Sequence, residues 1–236
     1  GQEARTQSYT HKSYALGVHV TLEAQQDDPH GITRWLTRSG GGLAKTGIYT
    51  MESNAMDTFN TYLTSGTLFS QGGTGYALLS TTHARIDGGT WSNRPASALD
   101  ISIEALEFMT SHWMVNQLNQ RGQVTMTTPK TLLVGANDGP LTHRLVETTG
   151  RRPQGADNDI NYMDRFSLDI IVHPLMTNDG RWLALGPKGE HKLNYFERMK
   201  PDVLKLPDGD NGNMRFYAIF RESHGATGAE NVWGSP

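Results

Sequence analysis

The chain of 236 residues is long enough for one large domain or two smaller ones, and its hydrophobic fraction of 36% supports a buried core. It contains no cysteine, which excludes disulfides, thiolate chemistry and cysteine-ligated zinc or iron–sulfur sites. A net charge of −3 argues against a protein that binds nucleic acid through a basic surface, and no apolar run is long enough to span a membrane.

The first periodic segment predicts a β-strand at residues 14–22. Apolar residues alternate there with small or polar ones, and the preceding residues 5–12 are polar and typical of an exposed extension. A lone strand has two unpaired edges, so we expect this one to pair with another strand, in this chain or in another. The apolar face consists of Tyr14, Leu16, Val18, Val20 and Leu22.

Residues 28–65 predict one long helix. Their apolar residues recur every three or four positions, and Asp28 followed by Pro29 suits an N-cap and a first helical residue. A helix of this length spans about 57 Å. Gly40, Gly41 and Gly42 each cost about 1 kcal/mol relative to alanine, so we expect a kink there or two helices on one line.

The middle of the chain predicts a connector and three short elements. Residues 66–97 are rich in glycine and contain a short strand at 76–80. A second helix follows an N-cap at Asp100 or Ser102 and continues to residue 120. Residues 131–135 (TLLVG) predict a buried strand, and residues 141–149 predict a short helix.

The last third predicts β-structure and completes an α+β fold. Apolar residues alternate from 166 to 172, and Asn178-Asp179-Gly180 predicts a hairpin turn into a strand at 181–185. A second hairpin joins residues 195–206 to 214–221 across a polar tip at 208–213.

Three segments imitate ligand-binding loops without meeting their requirements. Residues 40–46 (GGGLAKT) resemble a phosphate-binding loop, but Ser39 and Ala44 occupy the positions that need glycine. Residues 73–75 begin a dinucleotide fingerprint that Leu78 interrupts. Residues 208–213 resemble a calcium loop, with Gly212 in place of a ligand and Asn213 in place of the required glycine. We interpret these segments as a kinked helix, a flexible loop and a hairpin tip.

No pattern of residues predicts an enzyme. The nine histidines are scattered without metal-ligand spacing, no nucleophile elbow is present, and paired carboxylates such as Asp27 and Asp28 suit turns and caps. Arg151 and Arg152 follow the predicted short helix, where cations complement the helix dipole. Contact with a carboxylate of a neighbouring subunit is the second interpretation of this arginine pair.

From the connector onward, the sequence resembles the major capsid proteins of tailed bacteriophages with the Hong Kong 97 fold. The resemblance covers roughly residues 14–236 and depends on the order and spacing of structural residues rather than on a catalytic motif. The segments that carry it are ALLSTTH at 77–83, IDGGTWSNRP at 86–95, DISIEALE at 100–107, PKTLLV at 129–134, Asn161 before the strand at 168–175, Trp182-Leu183, Glu197-Arg198, Arg215-Phe216 and Arg221.

The resemblance implies four structural parts. Residues 1–24 correspond to the second strand of an intersubunit arm, the E-loop, and we expect its first strand and an N-terminal arm to lie upstream, removed by proteolytic maturation or outside this sequence. Residues 25–128 correspond to the spine helix and peripheral domain, and residues 129–187 to the axial domain. Residues 188–236 correspond to a β-hairpin that returns to the peripheral domain.

The resemblance also implies a structural subunit rather than an enzyme, with no catalytic residue, cofactor or metal. The expected partners are copies of itself, in hexamers and pentamers of an icosahedral head that encloses double-stranded DNA through weak non-specific contact. Portal, scaffold, maturation protease and decoration proteins are further partners, and no membrane is involved. We expect the protein in the virion, after assembly in the host cytoplasm. The alternative is an encapsulin-type nanocompartment shell, and the remote alternative is a hydrolase or metal enzyme.

The candidate interface residues lie on the predicted arm and after the short helix. Some family members cross-link an E-loop lysine to an asparagine of a neighbour; Lys12 lies in the corresponding region, and no partner asparagine is assigned. The candidates are Lys12, Tyr14, Leu16, Val18, Arg151 and Arg152.

Overall fold

The computed structural model describes residues 8–27, 31, 42–62, 69–71, 74–148, 161–177, 180–208 and 212–236. These residues form two compact units. The larger unit contains Met56–Asn194 and Gly225–Pro236, and the smaller unit contains Ser8–Ala55 and Tyr195–His224. The assignment of peripheral and axial domains stays a prediction.

Helices and strands are mixed along the chain, as the α+β prediction requires. None of the described helices has both the length and the apolar character needed to cross a membrane. In chain order the elements are β1 (Lys12–Val20), α1 (Leu22–Gln26), α2 (Gly42–Tyr62), β2 (Phe69–Gln71), β3 (Thr74–Tyr76), β4 (His83–Ala84), β5 (Thr90–Trp91), α3 (Ile103–Asn116), β6 (Thr131–Gly135), α4 (Gly139–Val146), a 3₁₀ helix (Tyr162–Phe166), β7 (Asp169–His173), β8 (Trp182–Leu185), β9 (Leu193–Asp208), β10 (Asn213–Ala226) and β11 (Val232–Ser235).

The smaller unit is built on a three-stranded sheet in the order β1-β10-β9. β1 runs antiparallel to β10 over nine consecutive residue pairs. Because side chains alternate between the two faces of a strand, Val18 and Val20 point to the same side and pack on the cluster of Leu43 and Phe216. Leu43 belongs to the first turn of α2, so this cluster joins the helix to the sheet.

The predicted N-terminal strand is confirmed, and its partner lies in the same chain. The strand ends at Val20 because Thr21 caps α1, with its hydroxyl accepting a hydrogen bond from the Ala24 amide at 3.3 Å. Leu22, predicted on the apolar face of the strand, is instead the first residue of α1. The predicted long helix is confirmed over Gly42–Tyr62, and its expected start at Asp28 lies outside the described residues.

The larger unit contains a four-stranded sheet in the order β11-β8-β6-β7. β6 is parallel to β7 and antiparallel to β8, and β8 is antiparallel to β11. Helix α3 buries Leu106 and Trp113 in the same cluster as Trp182 and Trp233, whose ring centroids lie 5.0 Å apart. Large aromatic side chains therefore supply much of the apolar surface that this core removes from water.

Helix α3 begins where the sequence predicts. The Ser102 hydroxyl accepts a hydrogen bond from the Ala105 amide at 3.1 Å, which selects Ser102 over Asp100 as the N-cap. The helix ends at Asn116, earlier than predicted. The next residue, Gln117, is buried, and its side chain donates to the Val232 carbonyl at 2.9 Å instead of facing solvent on a further helical turn.

Several predictions for the larger unit are wrong in pairing or position. The hairpin predicted around residues 178–180 does not form, because β6 lies between β7 and β8. Residues 77–80 are not a strand, and Leu78 and Leu79 are both buried, whereas a half-exposed strand would bury only one of two successive side chains. Phe166 ends the 3₁₀ helix rather than beginning β7, and α4 occupies Gly139–Val146 rather than 141–149.

Other predictions in the β-rich parts are confirmed. β6 coincides with the TLLVG segment, and β8 lies within the predicted strand at 181–185. β9 and β10 are neighbours in the sheet, as the predicted second hairpin requires. β11 is missing from the sequence prediction, although all four of its residues are buried.

Candidate intersubunit surfaces

The predicted candidates on β1 differ in how much of each side chain remains exposed. Val18 packs in the core of the smaller unit, and the Tyr14 ring stacks on Phe220 with centroids 5.1 Å apart. Leu16, between them on the same face, is 48% exposed. Lys12 is exposed at the start of the strand. Leu16 and Lys12 are therefore the two candidates on β1 that are most available to a partner.

The remaining sequence candidates are the arginine pair and the calcium-like loop. Arg151 and Arg152 lie outside the described residues, so their interface role stays a prediction. The Asp208 carboxylate of the calcium-like loop contacts His19 Nε2 at 2.7 Å and also Arg215. The Asn213 side-chain oxygen accepts a hydrogen bond from the Leu22 amide at 3.0 Å. These contacts favour the interpretation as a hairpin tip.

A cleft of about 250 Å³ lies between α2 and the sheet of the smaller unit. Its volume is below that of ordinary small-molecule sites, which measure roughly 300–1,000 Å³, and its walls are mostly apolar. It therefore suits an inserted apolar side chain better than a cofactor. The lining residues are Ala44, Gly47, Ile48, Pro201, Asp202, Val203, Ala218 and Phe220.

A buried carboxylate in the smaller unit escaped the sequence analysis. Glu222 is only 2% exposed, and its Oε1 accepts a hydrogen bond from Asn54 Nδ2 at 3.1 Å. Partial burial, together with the charges of Glu222, Glu197 and Glu52 and a hydrogen bond to Glu222, raises the pKa of Tyr195 to about 12. Tyr195 therefore remains a neutral hydroxyl at physiological pH. The alternation of β10 alone gave no reason to expect this acidic surrounding.

The larger unit exposes apolar side chains around the end of α3. Val115 is 65% exposed and Met126 is 92% exposed, and Met126 also has a positive φ of 54°. A positive φ is uncommon for a residue with a side chain, and here it coincides with an almost fully exposed one. Contiguous patches of exposed apolar side chains are typical of surfaces that contact another protein, whereas single ones are common on any protein surface.

A serine–histidine pair bears on the enzyme alternative. Ser92 Oγ lies 3.1 Å from His112 Nε2, within reach for a nucleophile and its base. However, the Trp233 indole N–H donates to His112 Nδ1 at 3.1 Å, so the neutral imidazole carries its proton on Nε2. Burial lowers the pKa of His112 and favours this neutral form. Nε2 therefore donates to Ser92 and is not a base for it.

The described residues also do not form a metal site. Among the described residues, no group of three or more histidine, aspartate or glutamate side chains is arranged to hold a metal ion. His83 is buried and hydrogen-bonds Asn93 at 3.0 Å. This histidine is a structural one.

Two of the residues that carried the family resemblance are buried amides. Asn93 receives a hydrogen bond from the Ser80 amide at 2.9 Å and donates to the Leu78 carbonyl at 2.9 Å. Asn161 donates to the carbonyl groups of both Leu145 and Thr148 at 2.7 Å. These side chains satisfy backbone groups of loops and of the last turn of α4 that have no ladder partners, which explains their structural importance.

No family model matches the sequence, and no curated protein matches it. Solved capsid structures do match the fold. The mature capsid of bacteriophage PhiM1 aligns with a TM-score of 0.57 at 10% identity, over 99% of this chain and 76% of that chain. The capsid of an empty GTA particle aligns with a TM-score of 0.54 at 12% identity, over 96% of this chain and 72% of that chain.

A virus-like particle from Pyrococcus furiosus is similar as well, with a TM-score of 0.50 at 8% identity, over 95% of this chain and 76% of that chain. This chain thus spans about three quarters of the length of the proteins it matches. At sequence identities this low, the structural alignments show that the fold is shared. The protein has the mixed α+β fold of bacteriophage capsid proteins, which confirms the fold that the sequence resemblance predicted.

Proposed function

We propose that this protein is a structural shell subunit that assembles with copies of itself into a closed icosahedral phage head. The observation that carries the proposal is the alignment of nearly the whole chain with the subunits of two capsids, from PhiM1 and the GTA particle. Hexamers and pentamers of this subunit would form the head.

The surfaces of the two units suit many modest contacts rather than one deep site. Each unit exposes apolar side chains on a largely polar surface, such as Leu16 in the smaller unit and Met126 in the larger one. Stable interfaces bury roughly 1,200–2,000 Å², and several smaller contacts made together reach comparable strength through multivalency. The proposed function therefore needs no cofactor and no catalytic residue.

The charge of the chain favours a container over a nucleic-acid binder. A basic protein gains affinity for DNA by releasing counterions, and a chain with net charge −3 gains little in this way. We propose that packaged double-stranded DNA makes only weak, non-specific contact with this subunit. Portal, scaffold, protease and decoration proteins belong to the same proposal, as does assembly in the host cytoplasm.

A second candidate is the shell of an encapsulin-type nanocompartment. The similarity to the virus-like particle from Pyrococcus furiosus supports this second candidate. The two candidates share self-assembly and differ in cargo, which is DNA in a phage head and protein in a nanocompartment.

Electron microscopy and sedimentation of the purified full chain test both candidates. We expect closed particles of uniform size, and an outcome of monomers alone under all assembly conditions contradicts the proposal. Particles isolated from their natural source are then treated with nuclease. Protected DNA supports the phage head, whereas particles with a stoichiometric protein cargo and no nucleic acid support the nanocompartment.

A further inference from the structure

The backbone on both sides of Met126 is anchored to the larger unit. The hydroxyl groups of Thr125 and Thr127 both donate to Asn231 Oδ1, from Thr125 at 3.0 Å, and Asn231 is only 4% exposed. The Trp113 indole N–H donates to the Thr127 carbonyl at 2.9 Å. Met126 itself is 92% exposed. The loop therefore presents this side chain to solvent from a fixed backbone.

Both the backbone and the side chain of Met126 are unfavourable in an isolated subunit. Its φ of 54° lies in a region that costs free energy for a residue other than glycine, and such residues cluster at functional sites. A nearly fully exposed methionine gains no burial in return. Methionine is unbranched and adapts to irregular surfaces, so it is used often where one protein binds another. These properties favour burial of Met126 against a partner.

The cleft between α2 and the sheet of the smaller unit has room for such a side chain. The small residues Ala44, Gly47 and Ala218 line it, and a Cβ added to Gly47 meets no heavy atom of another segment within 4 Å. The volume of the cleft is about 250 Å³. An apolar cavity of about 150 Å³ accommodates benzene, which has more heavy atoms than a methionine side chain. The cleft can therefore take up one methionine side chain.

Opposite charges accompany the cleft and the projecting methionine. Asp202 on the wall of the cleft and Arg121 in the loop of Met126 are both exposed. The Asp202 carboxylate accepts a hydrogen bond from the adjacent Val203 amide at 2.8 Å. Neither charged side chain takes part in the ion pairs found among the described residues. Opposite charges beside two such surfaces favour their encounter and fix the orientation of the contact.

We propose that Met126 of one copy inserts into this cleft of a neighbouring copy, with Arg121 beside the partner subunit's Asp202. Each copy carries both the side chain and the cleft, so the same contact can repeat from one subunit to the next and close a ring. This inference rests on the proposed function, because hexamers and pentamers are rings of this kind. The insertion supplies one of the contacts that hold such a ring together.

The contact is weak outside an assembly. One inserted side chain and one ion pair bury less surface than the roughly 1,200 Å² of a stable interface, so two isolated subunits separate readily. In a shell, the other contacts hold the methionine near the cleft and raise its effective concentration. Covalent trapping and the yield of closed particles therefore detect the insertion better than an equilibrium measurement on dilute subunits does.

Cysteine cross-linking tests the insertion, because the natural chain contains no cysteine. Ile48 lines the cleft and is 52% exposed, so a cysteine there is accessible to the partner. We expect mild oxidation of a mixture of Met126→Cys and Ile48→Cys chains to give a disulfide-linked heterodimer. Ile171→Cys replaces Met126→Cys in the control mixture, since Ile171 is also an exposed apolar residue of the larger unit. Equal yields of heterodimer from the two mixtures overturn the proposal, and so does no heterodimer in either.

Two further variants remove the side chain and fill the cleft. Met126→Ala truncates an exposed side chain, and Gly47→Leu places new atoms in open space, so both subunits should fold. Burial of one apolar side chain changes an association constant by roughly tenfold or more, so both variants should lower the yield of closed particles by about that factor. Ile171→Ala should leave the yield unchanged. A loss with Gly47→Leu but not with Met126→Ala shows a different occupant of the cleft and overturns the proposal.

A charge exchange tests the orientation of the contact. Arg121→Asp and Asp202→Arg should each lower the yield of closed particles, because each sets two like charges against each other. The double variant restores opposite charges and should recover most of the yield. A double variant that assembles no better than the two single variants overturns the assigned pair.

The same variants separate this inference from the proposed function. Closed particles from the natural chain, with unchanged yields in Met126→Ala and Gly47→Leu, leave the shell function intact and overturn the insertion. Cross-linking between Met126→Cys and Ile48→Cys chains in a protein that never forms particles supports the insertion and overturns the shell. Circular dichroism of each variant, compared with the natural chain, establishes that the substituted subunit is folded.

Discussion

His83 should make the larger unit sensitive to acid. Its buried ring lies against Trp91, with centroids 4.7 Å apart, and donates from Nε2 to Asn93 Oδ1 at 3.0 Å. Burial lowers the pKa of His83 from 6.5 to about 4, and the hydrogen bonds with Asn93 and the Leu78 backbone only partly oppose this shift. The folded protein therefore keeps this histidine neutral over a pH range in which the unfolded chain binds a proton.

Whether acid raises or lowers the free energy of unfolding depends on which state, folded or unfolded, binds the proton at His83 more readily. Above pH 6.5 both states are neutral at this position and its titration contributes nothing. As the pH falls from about 6.5 towards 4, the unfolded state binds more protons, so the free energy of unfolding decreases. A shift from 6.5 to about 4 corresponds to about 3 kcal/mol in full, of which about 2 kcal/mol is lost between pH 7 and pH 5.

Urea denaturation of the unassembled subunit, followed by tryptophan fluorescence, measures this loss. Four tryptophans, Trp91, Trp113, Trp182 and Trp233, lie in the larger unit and report on its unfolding. The test variant is His83→Gln, whose amide cannot titrate and can still donate towards Asn93. We expect it to lose about 2 kcal/mol less than the natural chain on acidification from pH 7 to pH 5.

The control variant is His143→Gln, because His143 lies at the surface of α4. Its loss of stability on acidification should be closer to that of the natural chain than to that of His83→Gln, because its ring is not buried. Burial also lowers the pKa values of His112 and His191, so some acid sensitivity should remain in His83→Gln. Identical losses in the natural chain and in His83→Gln would refute the assignment of acid sensitivity to this buried ring.

Further predictions concern the cap, two glycines and one tyrosine. Ser102→Ala should destabilise the larger unit by about 1 kcal/mol in urea denaturation, because the Ala105 amide loses its acceptor, and an unchanged midpoint contradicts the cap. Gly47→Ala should stabilise α2 by up to about 1 kcal/mol, since no atom lies within 4 Å of the added Cβ. Gly17→Ala should destabilise, because its Cβ would lie 2.9 Å from the Tyr217 ring; equal effects at both glycines would contradict this geometry. In an ultraviolet titration, Tyr195→Phe should remove an ionisation near pH 12, and its loss at the ordinary pH of tyrosine would contradict the effect of the surrounding carboxylates.

Elements with a local cause were predictable from the sequence. Ser102 marks the start of α3 because its hydroxyl binds an amide three residues away, and the alternation of β1 reflects one face that packs on the core. The fold class was predictable as well, because the segments that carried the family resemblance occur in the right order. The confirmed elements β6 and α3 both contain such segments.

Pairing between distant segments was not predictable. The turn at 178–180 has the composition of a hairpin, but β8 pairs with β6 and β11 because its Trp182 and Leu183 are buried in the clusters that those strands share. The local signal in β11 is weak, since Val232 and Trp233 favour strands whereas Gly234 and Ser235 do not. Local propensity constrains neighbours along the chain, whereas strand order depends on which apolar faces meet.

The interface candidates also combine a part that the sequence predicts with a part that only the structure shows. The period of β1 identifies Leu16 and Val18 as members of one face, but only the structure shows that Val18 is packed in the core and that Leu16 is largely exposed. The buried Glu222 could not be found from the alternation of β10.

The proposed contribution of β1 to assembly must be measured separately from its contribution to folding. Deletion of the strand would remove the partly buried Val18 and Val20 from the cluster around Leu43 and Phe216, at a cost for each below the roughly 1.5–3 kcal/mol of a fully buried side chain. Loss of assembly after such a deletion would therefore report unfolding of the smaller unit as much as loss of a contact. A change at Leu16 alters the exposed part of the same face and leaves both valines in place. Point substitutions at this residue can thus separate folding from association, which removal of the whole strand cannot do.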